Sequence, residues 1–178
     1  MKLSSGLQPK YFSGILFFLL LIQGCGYTHQ ATLPQNIKTI YVDTVKNKIP
    51  TENTYAYQPG LEIDITNAVI KGLQRDGNLK VVPREQADAV LQADLIGFEH
   101  EGLRFSSLES VEEYRLYIVL NVVLKDNKTQ QIIWQESNFS GDAEYVVTPV
   151  RSLGRQEAAE RAVSRLAKNV VDRIVEDW

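Results

Sequence analysis

The chain is poor in the side chains on which most enzymes and metal sites depend. Its 178 residues include a single cysteine and only two histidines. One cysteine excludes an intramolecular disulfide and a multi-cysteine metal site. The sequence also contains no Gly-rich phosphate-binding loop and no Gly-x-Ser-x-Gly nucleophile elbow. We therefore predict no catalytic residue, no metal ligand and no dissociable cofactor, and we expect a protein that is not an enzyme.

The two histidines do not combine into a site. His29 falls in an N-terminal stretch without hydrophobic periodicity, where a rigid geometry is hard to hold. His100 lies between Glu99 and Glu101, a run that could bind a metal ion. Alternate residues of a strand point to opposite faces, however. The pattern therefore favours a solvated strand end over a metal site.

The acidic residues give no clear catalytic pair. Ser140-Gly141-Asp142 has no histidine nearby in the sequence. The other acids are scattered around predicted element ends: Glu62, Asp64, Asp88, Glu112, Glu113 and Glu144. A periplasmic hydrolase that uses an unrecognised carboxylate pair stays an open alternative, because distant carboxylates can meet only in the fold.

Basic residues are fewer than acidic ones, which argues against nucleic acid as a partner. The chain has 19 Lys and Arg against 22 Asp and Glu, a net charge of −3. Residues 1–24 carry Lys2 and Lys10 and no acid, so their removal would leave −5. Nucleic-acid binding needs basic patches that neutralise phosphates.

No apolar run is long enough for a permanent transmembrane helix. The longest one, residues 11–22, is about a dozen residues, whereas a spanning helix needs about 20. It follows the segment that contains Lys2 and Lys10. A short charged segment before a short apolar one is typical of a secretory signal. We therefore predict that residues 1–24 are a signal peptide.

The apolar run ends at the only cysteine, in the order Leu21-Ile22-Gln23-Gly24-Cys25. This motif resembles the bacterial lipobox, which implies that Cys25 receives diacylglycerol and, after cleavage, an N-acyl chain such as palmitate. Two or three acyl chains make attachment effectively permanent. Gly26, where an Asp would favour inner-membrane retention, is compatible with the outer membrane. An ordinary signal peptide with a stray cysteine is the alternative.

The remainder has the composition of one globular domain, at 44% hydrophobic and 23% charged residues for the whole chain. Residues 25–36 form a tether, and residues 37–178 form the domain. Hydrophobic periodicity predicts strands over 37–43, 79–82, 89–98, 114–125 and 130–145, with a bulge at Gly141. It predicts helices over 61–75 and 153–178, and a loop over 46–60.

The predicted order is β-α-β-β-β-β-α. The first crossover makes its two strands parallel, and the later strands form an antiparallel meander. Two helices then cover one face of a mixed four- to five-stranded sheet. The expected fold is an α+β two-layer sandwich.

Residues 99–112, between two predicted strands, form the most interesting loop. They include Leu103, Arg104, Phe105 and Leu108. Aromatic and Arg side chains are enriched in interfaces, so these four are candidate contacts to a partner. Arg104 could pair with a lipid phosphate. The alternative is that Phe105 and Leu108 fold back onto the domain.

Several motifs, in order along the mature chain, resemble the LptE family of lipopolysaccharide-assembly lipoproteins. They are Cys25-Gly26-Tyr27, Leu33-Pro34, Ile37-Lys38-Thr39-Ile40, Leu61-Glu62, Thr66-Asn67-Ala68, Arg75-Asp76-Gly77-Asn78-Leu79-Lys80-Val81-Val82, Ala87-Asp88-Ala89-Val90-Leu91, Glu113-Tyr114-Arg115-Leu116, Leu124-Lys125-Asp126 and Ile133-Trp134-Gln135-Glu136.

The resemblance implies a non-enzymatic lipoprotein held in the inner leaflet of the outer membrane and facing the periplasm. Such proteins plug the lumen of the LptD β-barrel, help it to assemble, and take part in lipopolysaccharide transport to the cell surface. The candidate contacts would then be to the barrel or to lipopolysaccharide; they are Leu103, Arg104, Phe105 and Leu108. The alternative is another outer-membrane lipoprotein that acts as a periplasmic scaffold or binding module.

Overall fold

The computed structural model describes residues 37–50, 58–147 and 153–176. The predicted signal peptide, Cys25, His29 and the tether lie outside these ranges. The elements are β1 (Thr39–Val42), β2 (Lys46–Asn47), α1 (Leu61–Asp76), β3 (Lys80–Val81), a 3₁₀ turn (Arg84–Gln86), β4 (Ala89–Phe105), β5 (Val111–Asp126), β6 (Ile132–Val146) and α2 (Leu153–Glu176). Neither helix in the described ranges combines the length and apolarity needed to cross a bilayer.

The strands form one mixed sheet in the order β3-β1-β4-β5-β6. β1 is parallel to β3, as a crossover through α1 requires, and it is also parallel to β4. β4, β5 and β6 form an antiparallel meander. The sheet has a sixth, two-residue strand that the sequence pattern assigned to a loop. This strand, β2, pairs with Asp94 and Leu95 and continues the β1 edge along β4.

The two helices cover one face of this sheet, which confirms the predicted two-layer sandwich. α2 packs on β5 and β6, while α1 packs on β1 and β3 and against α2. The alternation predicted for β5 is also confirmed, because its helix-facing side chains are buried. They are Leu116, Ile118, Leu120, Val122 and Leu124. Each such residue contributes about 1.5–3 kcal/mol by leaving water.

α1 is bounded by glycines with positive φ. Gly60 has φ +94° before the helix, and Gly77 has φ +82° after it and donates its N–H to the Leu73 carbonyl. The predicted stop at Gly77 is therefore confirmed. Within the helix, Thr66 Oγ1 donates to the Glu62 carbonyl at 2.6 Å and accepts from the Val45 N–H at 3.0 Å. This hydroxyl ties the β1–β2 connection to α1.

The predicted bulge at Gly141 is wrong. Gly141 pairs in register with Ile118, and the register shift in β6 lies near Asn138, which has φ +57° and donates its N–H to Asn121 Oδ1. A Cβ at position 141 would lie 2.5 Å from Leu166 Cβ and 2.6 Å from the Ala162 carbonyl oxygen. The glycine therefore lets α2 approach the sheet closely.

Asp88 joins the start of β4 to the start of β1. Its Oδ2 accepts from the Lys38 and Thr39 N–H groups at 3.1 Å each and from Thr39 Oγ1 at 2.8 Å. These hydrogen bonds, led by the one from the Thr39 hydroxyl, lower the pKa of Asp88. Asn127, in the β5–β6 turn, donates its side-chain amide to the Arg84 and Ala87 carbonyls. Together they fix the end of the sheet at which β1 begins.

Candidate functional site

β4 and β5 extend beyond the last fully buried residues as an arm, defined here as residues 99–115, and β6 pairs with β5 along this arm as far as Glu113. The buried core ends at Phe98 on β4 and at Leu116 on β5, but the strands continue pairing as far as Phe105 and Val111. At about 3.3 Å per residue, the arm projects roughly 20 Å. The predicted loop over 99–112 is therefore wrong, since only residues 106–110 form a turn.

Hydrophobic alternation in the sequence does not predict the strands of the arm, because polar side-chain pairs stabilise them. Arg104 lies opposite Glu113, with which it forms an ion pair, and Glu101 accepts the Tyr117 hydroxyl from the neighbouring strand. Opposite charges facing each other across strands stabilise pairing without an apolar pattern. Register shifts near Gly97 and between Gly102 and Phe105 further interrupt the two-residue period.

Several hydrogen bonds hold the turn at the end of the arm, residues 106–110. Ser106 donates its N–H to the Ser110 carbonyl at 2.8 Å. The Ser106 hydroxyl oxygen accepts from the Leu108 and Ser110 N–H groups, both at 3.2 Å. Glu109 adopts a positive φ of 60° and donates its N–H to the Ser106 carbonyl. The turn thus holds Leu108 outward in a fixed geometry.

Exposed apolar side chains concentrate at this end of the molecule. Leu108 is 86% exposed, Phe105 58% and Leu103 37%. Val146 and Val147, beside the arm at the end of β6, are also exposed. Within the described ranges, Ile63 and Ile132 are the other large hydrophobic residues with comparable exposure. Phe105 and Leu108 do not fold back onto the domain, and such clustering is typical of an interaction surface.

The arm is acidic, and both of its arginines are engaged. Arg104 Nε lies 3.2 Å from Glu112, and its Nη1 lies 3.8 Å from Glu113. Arg115 pairs with Glu144 and Asp142 of β6. The acids within the arm are Glu99, Glu101, Glu109, Glu112 and Glu113. Five acids against two paired arginines give the arm a net negative charge.

His100 lies at the base of the arm in an aromatic cluster. Its Nδ1 is 2.9 Å from Tyr145 Oη, and its ring makes edge contacts with Phe98, Tyr114 and Tyr145. The expectation of a solvated strand end is therefore wrong. Burial, and then the charge of Arg155, lower the pKa of His100. Its buried Nε2 has no hydrogen-bond partner among the described residues.

Other polar groups in the described ranges form ion pairs and hydrogen bonds and line a groove of the surface. These residues contain no group of three or more His, Cys, Asp or Glu side chains placed to hold a metal ion. Asp142 forms an ion pair with Arg165 at 3.1 Å, and Asp88 accepts the Thr39 hydroxyl at the end of the sheet where β1 begins. A shallow groove of about 790 Å³ runs between α1 and α2, rimmed by both charges, including Lys71, Arg75 and Glu160.

A sequence model of the LptE family, described as lipopolysaccharide-assembly, matches residues 37–178. No curated protein sequence matches the chain significantly.

The chain is similar to several solved structures at low sequence identity. A Xanthomonas campestris protein of family DUF330 is 14% identical, with a TM-score of 0.55, over 79% of this chain and 85% of that one. Rare lipoprotein B from Shewanella oneidensis is 18% identical, with a TM-score of 0.43, over 75% and 89%. A minor lipoprotein from Acinetobacter baumannii is 11% identical, with a TM-score of 0.46, over 78% and 92%.

Proposed function

We propose that this chain, which belongs to the LptE family of lipopolysaccharide-assembly proteins, is an outer-membrane lipoprotein that plugs and helps assemble an LptD-like β-barrel. In this role it takes part in lipopolysaccharide transport to the cell surface and catalyses no reaction. The observation that carries the proposal is the family match, which extends over every described element from β1 to α2.

Cys25 is the proposed anchor. Diacylglycerol on its thiol and an acyl chain on its amine would hold the protein in the inner leaflet of the outer membrane. The tether of eleven residues after Cys25 reaches at most about 36–40 Å when extended. Labelling with palmitate tests this, because Cys25→Ala should abolish incorporation. Normal labelling of that variant would show that another residue is the acceptor.

The dimensions of the domain suit a barrel lumen. β1 begins beside Ala89 at the start of β4, whereas the arm forms the other end of β4. Seventeen residues of strand separate these ends by about 50 Å. This exceeds the hydrocarbon thickness of a bilayer, about 30 Å. A domain tethered in the inner leaflet can therefore reach along the full depth of a lumen, whose lining is polar.

The arm is the proposed contact with the barrel. Leu103, Phe105 and Leu108 present apolar surface at the tip, and Arg104 lies among them in its ion pairs with Glu112 and Glu113. Apolar side chains surrounded by a polar rim are the usual composition of a protein interface. Because the turn at residues 106–110 is already held by hydrogen bonds, less conformational entropy is lost on binding.

Purification of the native lipoprotein from outer membranes tests the proposal. We expect a large β-barrel protein to be recovered with it, and we expect depletion of the lipoprotein to reduce surface lipopolysaccharide. Recovery of soluble periplasmic partners alone, with normal surface lipopolysaccharide after depletion, would favour a different scaffold or binding module.

A further inference from the structure

We infer that the arm docks on a basic protein surface, and that the barrel wall facing it is lined with Lys or Arg. The inference rests on the proposed function, which supplies the barrel, and it adds the chemistry of the contacting wall. It follows from the apolar exposure of the arm, from its charge, and from the ion pairs that its own arginines already make.

The apolar tip of the arm is a surface on which a partner would be stabilised. The three exposed tip residues, Leu103, Phe105 and Leu108, are held on paired strands and a hydrogen-bonded turn. Burial of these side chains against a partner would be favourable, because it removes apolar surface from water. This gain needs a packed apolar surface on the partner side.

The charge around the tip determines which surface fits. Glu99 and Glu109 are exposed and make no ion pair in the part of the chain that the structure describes. Among the described residues, Glu101 accepts a hydrogen bond from the Tyr117 hydroxyl at 3.0 Å, a neutral donor, and makes no ion pair. An acidic partner would place like charges together, which is unfavourable. A basic partner supplies the missing counter-charges.

The same arrangement makes a lipid phosphate a poor occupant of the arm. A phosphate needs a cation whose charge is available, and Arg104 is shared between Glu112 and Glu113 while Arg115 is shared between Glu144 and Asp142. A phosphate would have to displace these carboxylates while surrounded by further acids. Electrostatics therefore favours a basic protein over an anionic glycolipid at this surface.

Charge reversal of the two unpaired acids tests the inference. Glu99→Lys/Glu109→Lys changes the arm by four charges and removes no described ion pair. The matched control, Glu85→Lys/Glu157→Lys, makes the same change at exposed residues of the 3₁₀ turn and α2. Each full-length lipoprotein is expressed in its native host, extracted in mild detergent, and assayed for co-purified barrel per lipoprotein. Thermal unfolding of each variant confirms that it folds.

We expect the arm reversal to reduce barrel recovery by about tenfold or more, because electrostatic steering changes association rates on that scale. The control should recover the barrel as the wild type does. Raising salt from about 0.15 M to about 1 M, which shortens the Debye length from about 8 Å to about 3 Å, should weaken wild-type recovery. Purified lipopolysaccharide should bind the reversed variant at least as well as the wild type.

The outcomes separate the inference from the proposal beneath it. If the wild type recovers the barrel and the arm reversal recovers it equally, the basic-wall inference is overturned and the proposed function stands. If the reversal loses lipopolysaccharide binding while barrel recovery is unchanged, the arm contacts the glycolipid instead. If the wild type recovers no barrel, both the proposed function and the inference are overturned.

Discussion

Gly141 on β6 and Leu166 on α2 are in direct contact, and the glycine is what allows it. A Cβ at position 141 would lie 2.5 Å from Leu166 Cβ and 2.7 Å from the Leu166 nitrogen. Both Leu166 atoms belong to a helix that is itself packed on the sheet, so neither can move far. The distance between the helix layer and the outer strand is therefore set at this pair.

Gly141→Ala should destabilise the domain by about 1–3 kcal/mol, because α2 must shift away from β6 to admit the methyl group. Gly154→Ala is the matched control, since the nearest atom to its added Cβ lies at an ordinary 3.5 Å. Urea unfolding monitored by circular dichroism measures both. Equal stability of the two variants would show that the close contact is not limiting.

Asp88 should make the domain more stable at neutral pH than in acid. Its pKa is lower in the folded chain than in the unfolded chain, chiefly through the Thr39 hydroxyl. Its contribution is therefore present above the unfolded pKa, near 3.8, and is lost as the pH falls from there towards the folded pKa. Asp88→Asn should cost about 1–3 kcal/mol at pH 7 and progressively less in acid. A cost that is independent of pH would contradict this role.

His100 should have a similar effect at milder pH. Burial lowers its pKa below 6.5 in the folded chain, so the unfolded chain binds the proton more readily. Stability should fall as the pH drops below 6.5 and stop falling once the folded imidazole is also charged. His100→Phe, which keeps a ring beside Tyr114 and Tyr145, should flatten this dependence between pH 7.5 and 5. An unchanged slope in the variant would assign the dependence to other groups.

Leu108→Ser should leave stability within about 0.5 kcal/mol of the wild type, because the side chain is already 86% exposed. Barrel recovery from the outer membrane should nevertheless fall severalfold. Ile63→Ser is the matched control, a 58% exposed residue of α1 that lies outside the arm. If both variants recovered the barrel equally, the apolar tip would not be a contact.

The sheet and helices outside the arm could be predicted from the sequence, because the spacing of apolar residues determines which of them are buried. Strict alternation from Leu116 to Leu124, and the apolar stripe of α2 that includes Leu166 and Ile174, place their residues in the core. Gly77 ends α1 where a left-handed residue was expected. Each of these signals is local, so it can be recognised without knowing the fold.

The arm and the Gly141 contact could not be predicted in this way. The arm is held by charge pairs such as Arg104 with Glu113 and by turn hydrogen bonds of Ser106, which leave no hydrophobic period. Gly141 is required by a helix more than twenty residues later, and His100 is buried by Tyr145 on another strand. The candidate contacts Leu103, Phe105 and Leu108 were nevertheless recognisable, because apolar residues stand out in a polar segment.

Photocrosslinking from position 108 in living cells is the most direct test of the proposed plug. With a photoreactive amino acid in place of Leu108, we expect a major adduct to a large outer-membrane β-barrel protein, and little from the same probe in place of Ile63. An adduct only to lipopolysaccharide or to soluble periplasmic proteins from position 108, or equal barrel adducts from both positions, would contradict the account.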